Sequence, residues 1–81
     1  MMPRYVMHLV HEAGDGLWHL KYDGHSVATF GSREEGERAG AARGRRVVDD
    51  GGVAELVVHG QDGAVEHKHA YGYDHPEREP G

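Results

Sequence analysis

Four Asp-Gly pairs cut this chain into short pieces: Asp15-Gly16, Asp23-Gly24, Asp50-Gly51 and Asp62-Gly63. Both residues tolerate the positive φ of tight turns, so Asp-Gly between alternating segments signals a hairpin. The segments left between the turns are mostly strand-length. Tyr5 to His11 reads as a strand, with Tyr5, Met7 and Leu9 on one side and Val6 and Val10 on the other. Leu17 to Tyr22 alternates Trp18, Leu20 and Tyr22 against Leu17, His19 and Lys21. Ser26 to Phe30 follows the next turn, with Ala28 and Phe30 on one face.

One window has helical character. Ser32-Arg33-Glu34-Glu35 is a capping box, a hydroxyl with Glu three residues on. Glu34, Glu35 and Glu37 place anions where the helix macrodipole favours them. The spacing predicts a helix from about Arg33 to Val48, ended by the glycines of the Asp49–Gly52 stretch. Gly36, Gly40 and Gly44 recur every fourth residue and so form one stripe. Each costs about 0.8–1.0 kcal/mol of helix propensity relative to alanine. A stripe retained at that cost implies close approach of the helix backbone to a neighbouring element.

Beyond the helix, Ala54 to His59 reads as a strand and Ala64 to Ala70 as its partner across Gln61-Asp62-Gly63. The order is strand, strand, strand, helix, strand, strand. The expected fold is α+β: an antiparallel sheet of four to five strands with one helix packed on one face. Residues 1–72 form the expected single domain. Residues 73–81 hold two prolines, three acids and no large aliphatic residue, and read as a flexible acidic tail.

The stretches Glu55-Leu56-Val57-Val58-His59-Gly60-Gln61-Asp62-Gly63 and Ala70-Tyr71-Gly72-Tyr73-Asp74-His75-Pro76 carry a resemblance. With Gly16-Leu17-Trp18 and the helix start from Ser32 to Ala39, they resemble small bacterial proteins of domain-of-unknown-function family 2188. The resemblance runs from about His8 to Pro76. That family has alanines where Gly36 and Gly40 stand here, and its ending places proline directly after aspartate, where His75 intervenes here. The resemblance implies no activity and carries over no catalytic residue.

Composition narrows the function. The chain has 81 residues and no cysteine, which excludes disulfides, thiolate zinc sites and cysteine nucleophiles. No apolar run reaches the length of a membrane span, and no signal-peptide core precedes the first strand, so a cytoplasmic protein without membrane contact is expected. Net charge is −5, which disfavours nucleic acid as a partner. The one dense basic spot, Arg43, Arg45 and Arg46, falls near the helix C-terminus, where cations suit the macrodipole. Those arginines, with Lys68, are the candidate phosphate contacts of a nucleic-acid-binding alternative.

Eight histidines raise a metal or pH-sensing alternative. His67 and His69 share a face of their strand. A three-residue loop pairing Gly60 with Ala64 puts His59 on that face too, making His59, His67 and His69 the candidate ligands. A two-residue loop at Asp62-Gly63 puts Val58 opposite His67 instead. His59 just before Gly60 also suits a hydrogen bond that shapes the turn.

Nucleophilic catalysis finds little support: Ser32 is occupied with capping, and no Gly-x-Ser-x-Gly surrounds Ser26. No phosphate-cradling glycine loop precedes the helix, no cofactor is expected, and the chain is read as non-enzymatic. Trp18 belongs with Leu20 in the core rather than on an aromatic stacking platform. The first strand is apolar on both faces, and one helix covers only one. Together with few large apolar residues and thirteen glycines, this favours self-association as a homodimer, or docking on a protein partner. Val6, Val10, Tyr71 and Tyr73 are the candidate interface.

Overall fold

The structure, a computed structural model, describes residues 4–72. Five strands form one sheet: β1 (Arg4–Glu12), β2 (Leu17–Tyr22), β3 (His25–Phe30), β4 (Val53–His59) and β5 (Val65–Tyr71). One helix, α1 (Arg33–Asp49), lies between β3 and β4 in sequence. Spatial order is β3-β2-β1-β4-β5. The three-strand, helix, two-strand sequence matches expectation, but the sheet is mixed rather than wholly antiparallel. β1 pairs with β4 in parallel, from Arg4 opposite Val53 to Leu9 opposite Val58. The reason is topological: α1 carries the chain back across the sheet, so β4 enters beside β1 running the same way.

Turn chemistry sets the local registers. Tyr22 pairs with His25, leaving Asp23-Gly24 as a two-residue loop. Their φ values of +55° and +80° are those of the hairpin turn that matches strand twist. The β1–β2 connection closes with Gly16 N–H donating to the Glu12 carbonyl at 2.8 Å. At the β4–β5 turn, Gly60 N–H donates to the Ala64 carbonyl at 2.8 Å, and Gly63 takes φ +91°.

Both helix ends are satisfied. Ser32 Oγ accepts from Glu35 N–H at 3.2 Å. At the other end, Gly51 and Gly52 N–H groups donate to the Val48 and Val47 carbonyls, each at 2.9 Å. This is the paired C-terminal closure that a left-handed residue permits, and Gly51 supplies it at φ +93°. Among the described residues, no helix is long and apolar enough to cross a membrane.

The core lies between α1 and one sheet face. Met7, Leu9, Leu20, Ala54, Leu56 and Val58 are fully buried, with Trp18 beside them. The glycine stripe faces them directly. A Cβ on Gly36 would meet Leu9 Cδ1 at 2.5 Å, and one on Gly44 would meet the Tyr71 ring at 2.5 Å. Large side chains on the sheet therefore fill the space that side chains on the helix give up.

Candidate functional site

Strand alternation carries Val6, His8 and Val10 of β1 to the sheet face away from the helix, because Met7 and Leu9 face it. The pairing registers add Leu17, His19 and Lys21 from β2, and Glu55, Val57 and His59 from β4. No described element lies across this face.

His8 and His59 meet at its centre. The parallel pairing brings together residues 51 apart in sequence, and His8 Nδ1 lies 3.0 Å from His59 Nε2. His59 Nδ1 is 2.9 Å from the Gly63 carbonyl oxygen. A carbonyl only accepts, so His59 carries its hydrogen on Nδ1 and offers a lone pair at Nε2. His8 Nδ1–H donates to that lone pair. Burial, and then the neighbouring His59, hold His8 below the ordinary imidazole range, while Glu55 pulls weakly the other way.

A second array lies along β2. His19 Nε2 donates to Asp15 Oδ2 at 2.8 Å. Its Nδ1 is then free to accept, and Ser26 Oγ donates to it at 2.9 Å. Asp15 Oδ1 also accepts from Leu17 N–H at 2.9 Å. That backbone bond, then the His19 bond, lowers the Asp15 carboxyl below the usual carboxylate range. The polarity is that of a serine–histidine–acid relay. Acyl transfer also needs donors aimed at a developing oxyanion. Among the described hydrogen bonds, Ser26 Oγ meets only His19. The array's visible effect is to tie the β1–β2 turn to β2 and β3.

The expected histidine trio is divided by the sheet. Gly60 does pair with Ala64, as the three-residue loop requires. A bulge between Val58 and His59 then shifts the register, so Val58 stands opposite His67 and Leu56 opposite His69. His67 and His69 thus lie on the helix side, with ring centroids 6.0 Å apart, and His59 lies on the other. Among the described residues, no group of three His, Asp or Glu is gathered to hold a metal ion. His59 does shape the turn, through its bond to Gly63.

The expected interface set is divided too. Val6 and Val10 are half-buried on the face away from the helix. Tyr71, opposite buried Ala54, packs under Gly44 on the helix side and is not part of that face. Tyr73 lies outside the described residues, as does the expected tail. Of the arginines, Arg43 and Arg46 flank one groove of about 380 Å³ with Tyr5, Val47 and Asp50. Arg45 is two residues from Arg43, which sets it on the far side of the helix. Lys68 pairs with Val57, away from all three.

His8, His19 and Asp15 are the residues that sequence reasoning missed, and Ser26 is one that it weighed and set aside. The signal for His8 is its alternation with Met7 and Leu9, which assigns its face but not its neighbour. Comparison with curated proteins and with solved structures gave no match. The family model described as an uncharacterized protein conserved in bacteria, DUF2188, matches residues 7–71. With the hairpin that holds His59 inside that match, and His8 with it, the chain belongs to this family.

Proposed function

We propose that this chain is a non-enzymatic interaction module that self-associates as a homodimer through the sheet face away from α1. The observation that carries the reading is that Val6, Val10 and Leu17 stay only half-buried on a face that no described element covers. A face meant for a second copy of itself must not repel itself. Here the charges are largely internally matched: Lys21 Nζ is 2.9 Å from Glu12 Oε2, and Arg4 pairs with Glu55 at 3.6 Å. The driving force is added burial, which a small core rewards.

Nucleic-acid binding through Arg43, Arg45 and Arg46 has less support. The net charge is −5, and the three arginines do not form one surface. The test is the mass in solution. Light scattering should give a dimer for the parent chain, and Val6→Lys with Val10→Lys should give a folded monomer. A parent chain that is monomeric across the accessible concentration range removes self-association and leaves docking on another protein.

A further inference from the structure

The same face holds ligand chemistry that self-association does not use. We propose that His8 Nδ1 and His59 Nε2 form a chelating pair for a divalent transition-metal ion with tetragonal preference, Cu²⁺ or Ni²⁺. The proposal needs only one chain and does not rest on the dimer.

The spacing admits a chelated ion. The two nitrogens are 3.0 Å apart, and metal–imidazole bonds of about 2.0–2.1 Å then subtend roughly 95° at the metal. That is close to the right angle between neighbouring ligands in a tetragonal site.

The ligands are also prepared. Ligating histidines characteristically donate their other ring N–H to a carbonyl or carboxylate, which fixes the ring and directs the lone pair. His59 does this through Gly63, inside a turn held by its own backbone bonds. His8 must change in two ways: its hydrogen moves from Nδ1 to the exposed Nε2, and its ring turns so that the two lone pairs converge on one ion instead of facing each other along the N···N line. Both residues sit on adjacent central strands, so their separation is set by the sheet and not by a loop. Glu55 lies on the same face, two residues along β4 from Val57, with its charge shared with Arg4. In the single chain, the positions not filled by imidazole open to solvent.

His67 and His69 are a second histidine pair, on the other face. No described hydrogen bond orients their rings. Removing them takes away the other paired histidines among the described residues.

The experiment is a titration of the His67→Ala, His69→Ala chain with CuCl₂ at neutral pH. Calorimetry gives the affinity, and electron paramagnetic resonance gives the nitrogen ligands. One Cu²⁺ per chain with two imidazole nitrogens is expected. Adding His8→Ala should weaken binding by more than about tenfold, the scale on which even supporting residues of metal sites act. His8→Gln is the second variant, with circular dichroism verifying the fold of each. Failure of the His67/His69-free chain to bind Cu²⁺, or unchanged affinity in the folded His8 variants, overturns the proposal. A monomeric parent chain leaves it intact, so its fate is separable from that of the dimer.

Discussion

Gly40 of the helix rides directly over Leu56 of the central strand. A Cβ on Gly40 would lie 2.8 Å from Leu56 Cδ2, where the leucine is fully buried. Gly36 stands in the same relation to Leu9. The distance between helix and sheet is therefore set by side chains that are missing.

Gly40→Val should destabilise the fold by about 1–3 kcal/mol, the usual cost of forcing methyl groups into a filled core. Gly40→Ala should cost less, because alanine regains up to about 1 kcal/mol of helix propensity. Urea denaturation of the two variants measures both. A valine variant as stable as the parent would mean that the helix can lift off the sheet.

His59→Ala should cost about 1–3 kcal/mol, the net value of the two intramolecular hydrogen bonds it makes. The loss should be local, because His59 holds the Gly63 carbonyl. Hydrogen exchange should quicken at the Gly60 and Gly63 amides more than at Leu9 or Leu20. Uniform loss of protection would assign His59 to the global core instead.

The helix ends predict opposite tolerances. Ser32→Ala should cost about 1 kcal/mol, while Ser32→Asp keeps the cap. Gly51→Ala should cost about 1–2 kcal/mol, because φ is +93° there and a Cβ is strained at such a value. Thermal midpoints of the three variants rank them. A Gly51→Ala chain as stable as the parent would mean that the closure after Asp49 is not held.

Asp15 gives a pH signature. Its carboxyl is held below the ordinary value of 3.8 by the Leu17 N–H and then by His19. The unfolded chain therefore binds the proton more readily. The stability this group contributes is present above pH 3.8 and is lost as pH falls through the lower, folded value. Asp15→Asn should accordingly lower the melting temperature at neutral pH, and the gap to the parent should narrow on acidification below pH 3.8. A gap that is constant from pH 7 to 3 would assign the effect to lost packing.

Local features were legible because local chemistry determines them. Asp23-Gly24 fixes its hairpin, Ser32 caps its helix, and the glycine stripe announces a close approach. The neighbour of β1 was not legible, since alternation assigns a residue to a face but does not choose a partner strand. A clue was present. β1 and β4 are apolar on both faces, with Val6, Met7, Leu9 and Val10 in one and Val53, Ala54, Leu56, Val57 and Val58 in the other. Such runs mark strands at the centre of a sheet. The His8–His59 contact depends wholly on that pairing. The histidine trio failed for a smaller reason. One extra residue in β5, Glu66 between Val65 and His67, undoes the register that the loop alone would impose.

The parallel seam between β1 and β4 also has a temporal side. The first three strands form a meander with short connections, and the last two form a hairpin, so each half can assemble early. Backbone hydrogen bonds join the halves only along β1 and β4. Closing that seam requires the chain to loop back through the whole meander and the helix. Until it closes, β1 is an unpaired edge along the side that β4 fills. A chain emerging from the ribosome, or cut before Val53, therefore displays a ready template for a foreign strand. The last hairpin completes the sheet and, in doing so, sheathes its most adhesive strand.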